Sequence, residues 1–391
     1  MLTQTLQEII TATEQENWCL ANQYLQQLLP ENSIETEQAL SMAIEILTGG
    51  AFQNRWEVAK LFPRLGDKAI APLMQILNDE DADLEQRWFA GRILGEFNHP
   101  EVIATLVNLL QTTEDEDLAA IAASALANLG TASINVLSDL LTQRESRRLA
   151  TLALAQIRHP AVITPLLTVV KDEEVAVRAT AIEALSSYQD PRIAPVLIEA
   201  LNDYAAIVRK EAVTGLGIRT DQALELNLLT HLQPRLYDLN LEVSQQAALA
   251  LGRLATAEAA SALFEVLKAP ATPIFLQTTI IQALGWMETP ASLQYLQQAL
   301  TYVVPESILE IIRILGRVEN GELKAQAADI LLKFFHSRHP MIHQPPIKRA
   351  LAYAWGQLGA KTALLALDKL KEDADQSVRI HAISALRYCL T

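Results

Sequence analysis

From Asn54 onward the apolar positions of this chain fall into one recurring register. Its clearest copy is Glu174–Leu185, EVAVRATAIEAL, whose spacing predicts the inner helix of a two-helix repeat. With Leu185 as anchor, the equivalent positions are Phe62, Leu94, Leu126, Leu154, Leu185, Leu216, Leu251, Leu284, Leu315, Trp355 and Leu386, separated by 28 to 40 residues. So steady a period predicts helix pairs stacked in single file, because one pair cannot bury its apolar face alone. The expected fold class is all-α, a right-handed α-solenoid of roughly ten two-helix repeats spanning residues 54–391.

The register carries its own packing instructions. Four residues before the anchor stand Ala90, Ala122, Ala150, Ala181, Ala212, Ala247 and Ala382, small side chains that let neighbouring helices approach. One residue before it come Ala125, Ala153, Ala184, Gly215, Ala250, Ala283, Ala354 and Ala385, which complete a buried stripe. One residue after it recur Gly95, Gly217, Gly252, Gly285, Gly316 and Gly356, read as the stop at the end of each inner helix. The outer helices repeat Ile70-Ala71-Pro72-Leu73, Ile163-Thr164-Pro165-Leu166 and Ile193-Ala194-Pro195-Val196, with proline in a first turn whose N–H needs no partner. His99-Pro100, His159-Pro160 and Asp190-Pro191 mark the turns before them.

Two segments leave the register. Residues 1–53 show helical spacing at Leu2, Leu6, Ile9 and Ile10 and again at Tyr24, Leu25, Leu28 and Leu29, broken at Pro30-Glu31-Asn32-Ser33 and ended by Gly49-Gly50; they are read as a helical N-terminal cap. The longest step between anchors holds an irregular insertion at about 320–346, with His336, His339 and His343 in it. Pro340, Pro345 and Pro346 work against one helix gathering those imidazoles, so a turn is expected there and no metal site.

Composition agrees with thin stacked helices: half the residues are hydrophobic but only 5% aromatic. A net charge of −15 argues against wrapping nucleic acid, which needs clustered Lys and Arg. Cys19 and Cys389 sit near opposite ends and form neither a disulfide framework nor a CxxC motif, so two free thiols in a reducing, cytoplasmic setting are expected. Nowhere do eighteen uncharged apolar residues run together, so no membrane span is expected.

Arginine recurs seven residues before the anchor, at Arg55, Arg87, Arg147, Arg178, Arg209 and Arg379, with Lys348 in one copy. Acidic residues precede several of these, and a guanidinium fork can bind both carboxylates and loop carbonyls, so a ladder linking one repeat to the next is expected. Ala119, Ser244, Gln277 and Ile308 interrupt it, where apolar contacts are expected to take over. No G-x-S-x-G, HExxH or Walker A motif occurs, and no catalytic residue is assigned.

Acidic residue, Val-Arg, Ala, Ala-Leu, Gly resembles the HEAT-like repeat of cyanobacterial phycobilisome lyases and their relatives over residues 54–391. The family includes E/F-type bilin lyase subunits, phycobilisome-degradation factors and a HEAT-repeat partner of an A-type iron–sulfur carrier. The resemblance implies a scaffold whose protein partner (a phycobiliprotein, a lyase subunit or an iron–sulfur carrier) binds the concave face lined by the inner helices. The alternative it implies is a phycobilin lyase attaching a linear tetrapyrrole. No cofactor is expected on this chain alone, and a bilin or iron–sulfur cluster would come only with a partner.

On that face, positions two before and two after the anchor point away from the buried stripe. They place Arg92, Arg253, Trp286, Arg313 and Arg317 among the candidates for partner binding, with Lys348 and Arg349 close to the basic strip. Trp88 joins Arg92 as a candidate, and Trp56 occupies the same place one copy earlier; packing between repeats is the competing role of both rings.

Overall fold

The architecture comes from a computed structural model, which describes residues 8–13, 15, 17–28 and 33–390. Leu2, Leu6, Leu29 and the Pro30-Glu31-Asn32 break lie outside the described residues. The described residues are helices and turns with no strand, and they form two compact units, 1–188 and 189–391.

In the first unit the inner helices Leu84–Leu94, Glu116–Asn128, Arg144–Gln156 and Val175–Ser186 stack in file. The second unit does the same with Ala206–Gly217, Leu241–Leu254, Ile274–Met287, Pro305–Leu315, Pro345–Leu358 and Gln376–Leu390. The anchors explain the order. Every one from Phe62 to Trp355 is fully buried, as are all seven alanines one turn earlier. Leu386, on the inner helix Gln376–Leu390, is half-buried. The α-solenoid class expected from the register is the one each unit adopts.

Local chemistry sets the helix ends. Asp115 and Asn240 accept backbone N–H groups at the starts of Glu116–Asn128 and Leu241–Leu254, satisfying donors that have no partner inside the helix. Thr289 and Ser292 form a reciprocal capping box on Pro290–Ala299. The His-Pro turns are caps as well: Nδ1 of His99, His159 and His339 accepts the N–H two residues on, at 3.3, 3.2 and 3.3 Å.

Four expectations change. Pro63 splits the first inner helix, so its anchor Phe62 starts a separate turn, Phe62–Leu65, after Phe52–Ala59 has ended. Most of the supposed insertion is an ordinary outer helix, Gly321–Phe335, whose Leu323, Ala327, Ala328, Ile330, Leu331 and Phe334 form one buried face. Only residues 336–344 between it and the next inner helix are irregular.

The recurrent glycines mark the helix end in only half the copies. Gly217 is the last residue of its helix and Gly95 and Gly316 are the C-caps of theirs, with right-handed φ values of −61° and −68°, whereas Gly252, Gly285 and Gly356 lie inside their helices; the positive-φ glycines are Gly66, Gly130 and Gly359. What they do is touch the next inner helix. A Cβ added to Gly95 would meet Ala125, and likewise Gly217 meets Ala250, Gly252 meets Ala283, Gly285 meets Ile314, Gly316 meets Ala354 and Gly356 meets Ala385. Each partner sits one residue before its own anchor and is alanine in five of the six, the exception being Ile314, so the two columns interlock.

The fourth change concerns Gln277, where apolar contact was expected to replace the ladder. Its amide donates to the Thr272 carbonyl at 3.0 Å and its oxygen accepts from Ser307 at 3.2 Å. A neutral polar side chain therefore makes the same two-way connection at this position.

Candidate functional site

The arginines seven before the anchor point into the turns, not onto the open face. Arg55 reaches Asp83 at 3.1 Å, Glu85, and the Thr48 carbonyl. Arg147 pairs with Asp172 at 2.6 Å and donates to the Leu141 carbonyl. Arg209 holds both carboxylate oxygens of Asp238, at 2.8 and 2.7 Å, and Lys348 holds Asp373 at 2.6 Å. In all four an acid from the turn before the next inner helix is bound, and Arg55 also takes Glu85 from the first turn of that helix. Arg87, Arg178 and Arg379 bind carbonyls of their own repeat, at Leu77, at Asp172 and Glu173, and at Asp373 and Ala374. None of these seven cations is offered to a partner.

The open face in the first unit carries an aromatic stack. Trp56 and Trp88 are half-buried, and the guanidinium of Arg92 lies 3.8 Å from the centre of the Trp56 ring and 5.9 Å from that of Trp88. Such cation–π contacts contribute about 0.5–2 kcal/mol according to their desolvation, so both indoles have a structural task. Exposed Phe52 stacks on Trp56 and tilts against Phe89. Register reasoning passed over Phe52, because it lies outside the columns two residues either side of the anchor.

In the second unit, Arg253, Trp286 and Arg317 occupy the place two after the anchor in three consecutive repeats, the first two within their inner helices and Arg317 in the turn just past Pro305–Leu315, and all three are exposed. Trp286 is 63% exposed. One column over, Arg313 is 55% exposed by its side chain and meets its own-helix neighbour Glu310 at 3.7 Å. A solvent-facing contact of that length contributes little.

Arg313 and Arg317 meet again in a groove of about 380 Å³, together with Arg349, Tyr353 and His381, above a floor that includes Gly316 and Ala354. Arg253 and Trp286 lie on earlier helices and do not line it. Arg349 was visible in the sequence as a neighbour of the strip. Tyr353 stands two before Trp355, in the column of Arg313, and could have been read the same way; His381 fits neither column and comes in from the last inner helix.

The thiols differ in reactivity. Cys389 is buried, its Sγ lies 3.4 Å from the Trp355 carbonyl, and burial pushes its pKa up. Cys19 is exposed. A disulfide reagent added to the native chain is therefore expected to titrate Cys19 at once and Cys389 only after denaturant, since the thiolate is the reacting form; equal rates for both would contradict this burial. No group of three or more His, Cys, Asp or Glu among the described residues is arranged to hold a metal ion. No single described helix is long and apolar enough to cross a membrane, and one bent pair, Glu116–Asn128 with Gly130–Leu140, passes only by length and composition.

The family model for HEAT repeats matches residues 40–127, 70–149, 134–217 and 229–309, together more than half of the chain. Residues 1–39, 218–228 and 310–391 fall outside these matches, and 218–227 are the turns and short 3-10 stretch that follow Ala206–Gly217. No curated protein matches the sequence. Among solved structures the chain is similar to importin beta in a polyethylene glycol condition, with a TM-score of 0.56 and 13% identity over 98% of this chain and 65% of that one. It is similar to a structure concerned with Kap95p binding to RanGDP, with a TM-score of 0.51 and 14% identity over 98% of this chain and 54% of that one. Human deoxyhypusine hydroxylase in complex with glycerol is 20% identical over 66% of this chain and 96% of that one, at a TM-score of 0.30. The chain thus spans less than two thirds of the importin beta and Kap95p-related chains, and at these identities the likeness is one of fold.

Proposed function

The chain belongs to the HEAT-repeat family, and from that premise we propose that it is a protein-binding scaffold, without chemistry of its own, that takes its partner on the exposed face of the inner helices. The observation that carries this reading is Trp286. An indole 63% exposed, two residues past a fully buried anchor, leaves most of its apolar surface outside the stack that holds it. Trp and Arg dominate the energetics of protein interfaces, and here Trp286 shares its column with Arg253 and Arg317. These cations lie on a chain of net charge −15, so they favour an acidic patch on the partner and would speed its approach. On the same fold, Kap95p binds a folded protein, RanGDP, which supports the same use of the architecture.

Within this reading, the resemblance to phycobilisome lyases makes a phycobiliprotein, a lyase subunit or an A-type iron–sulfur carrier the partner. Propionates of a bilin are a second kind of anion for the same strip, and a phycobilin lyase role is the alternative function. Co-expression with bilin synthesis, compared with anaerobic purification alone, separates these by visible absorbance: a bilin spectrum, a brown cluster spectrum, or neither for the pure scaffold.

The direct test is capture of partners by the tagged full chain, identified by mass spectrometry. Trp286→Ala and Arg317→Glu are each expected to weaken capture at least tenfold, as loss of an interface anchor does, with unchanged helicity by circular dichroism. Undiminished capture by both variants would move the binding face elsewhere.

A further inference from the structure

The groove lined by Arg313, Arg317, Arg349, Tyr353 and His381 has a composition that a generally acidic partner surface does not require. We propose that it is a phosphoryl-binding pocket, which receives the phosphorylated side chain of the partner protein.

The cations of this region fall into two sets. Lys348 is committed to Asp373 at 2.6 Å, and Arg379 to the carbonyls of Asp373 and Ala374. Arg317 and Arg349 form no ion pair within 4.0 Å among the described residues, and Arg313 has only the 3.7 Å contact to Glu310. Three guanidinium groups lining one groove repel one another, and a bound anion reverses the sign of that interaction. Asp375 acts on Arg349 through space but does not line the groove.

The number of donors chooses between oxyanions. A carboxylate brings one charge and two oxygens, which one guanidinium fork satisfies. A phosphate monoester brings nearly two charges and three strong acceptor oxygens, matched to several arginines at once. His381 also lines the groove, with its Nδ1 donating to the Ser377 carbonyl at 2.7 Å.

The rest of the lining suits a side chain rather than a free ion. Leu309, Pro346, Ala350 and Ala354 are apolar, and Tyr353 is 55% exposed beside them. A phosphorylated residue can lay its stem there while its charged end meets the arginines. The proposal rests on the scaffold reading for the carrier of the phosphoryl group, though not for the pocket itself.

Calorimetric titration of the full chain at constant ionic strength tests it with four probes: inorganic phosphate, and three otherwise identical alanine pentapeptides carrying phosphoserine, glutamate or serine at the centre. The phosphoserine peptide is expected to bind at least tenfold tighter than the glutamate peptide. Arg317→Gln and Arg349→Gln, exchanged at the surface and checked for helicity, are each expected to weaken it tenfold or more. Equal affinity for the phosphoserine and glutamate peptides, or no response to either arginine variant, overturns the pocket. Binding of inorganic phosphate without the phosphopeptide overturns the partner-borne source. Partner capture that survives phosphatase treatment of the lysate undiminished overturns the proposal while leaving the scaffold intact.

Discussion

Arg209→Ala is expected to destabilise the second unit by about 3 kcal/mol, the low end of what removing one partner of a buried ion pair costs. Arg209 binds both oxygens of Asp238 with Nε and Nη2, while Nη1 donates to the carbonyls of Asp203 and Tyr204 at 2.8 and 3.1 Å. One side chain therefore ties its own turn to the loop that starts the next inner helix. Only 4% of the Asp238 side chain and 14% of that of Arg209 reach solvent, so the alanine variant leaves a carboxylate that water cannot easily serve. Arg235 at 3.9 Å and the Asn240 N–H at 2.9 Å remain, which keeps the loss from being larger.

The same pair fixes a pH dependence. Burial by itself would raise the pKa of Asp238, but the hydrogen bonds from Arg209 and the Asn240 N–H, with the charges of Arg209 and Arg235, outweigh it and hold the group below its ordinary value. A folded pKa below the unfolded one stabilises the native state above the unfolded carboxylate value of about 3.9, and that contribution disappears as pH falls through the folded value. In Arg209→Ala the folded pKa rises, so acid unfolding should begin at higher pH than in the wild type. Urea unfolding followed by circular dichroism at pH 7 and along an acid series reads both effects. The double variant Arg209→Met/Asp238→Leu should recover part of the loss, because it leaves no unpaired buried carboxylate, though the Asp203 and Tyr204 carbonyls and the Asn240 N–H still lose their partners. A single-variant loss under about 0.5 kcal/mol would mean the pair behaves as a surface contact.

The anchors and the alanine columns were legible because a residue's place on its own helix decides whether it faces the stack, and that place is written in the local sequence. Contacts across repeats were legible only in kind. The arginine seven before the anchor could be picked out as a binder of acids, yet at nearby Asp203 Arg209 donates its hydrogen bond to the backbone carbonyl, while the Asp203 carboxylate caps Ala205 at 2.8 Å and acts on the guanidinium through its charge. Its acid is Asp238, supplied by the way the next repeat is offset. Trp88 and Arg92 are four apart on one helix and could be paired by eye, whereas Trp56 completes the sandwich from the preceding copy. The groove shows the same division: Arg313 and Arg317 follow from a helical wheel, while His381 belongs to it through the spacing of stacked helices. The glycines were read only in part for this reason, since a small residue after an anchor fits a helix end and a helix contact equally well until the neighbour is placed.

That correction makes Gly316→Ala a test with a contested sign. Gly316 has φ −68°, a conformation alanine adopts freely, and alanine is favoured over glycine in helical backbone by up to about 1 kcal/mol. Intrinsic propensity thus predicts stabilisation. Against it, the added Cβ would stand 2.6 Å from the Cβ of Ala354 and 2.8 Å from its Cα. Neither atom can rotate away, so the two inner helices must separate, and overpacking of this kind costs about 1–3 kcal/mol. The expected net result is a loss of about 1–2 kcal/mol, read as a fall in the urea midpoint. Gly321→Ala supplies the control, because nothing lies within 4 Å of its added Cβ and stability should hold or rise slightly. Adding Ala354→Gly to Gly316→Ala removes the Cβ collision and leaves the Cα one, so recovery should be partial. A stabilised Gly316→Ala would mean that these helices can part without loss, and the interlocking of small columns would no longer explain why glycine recurs after six of the anchors.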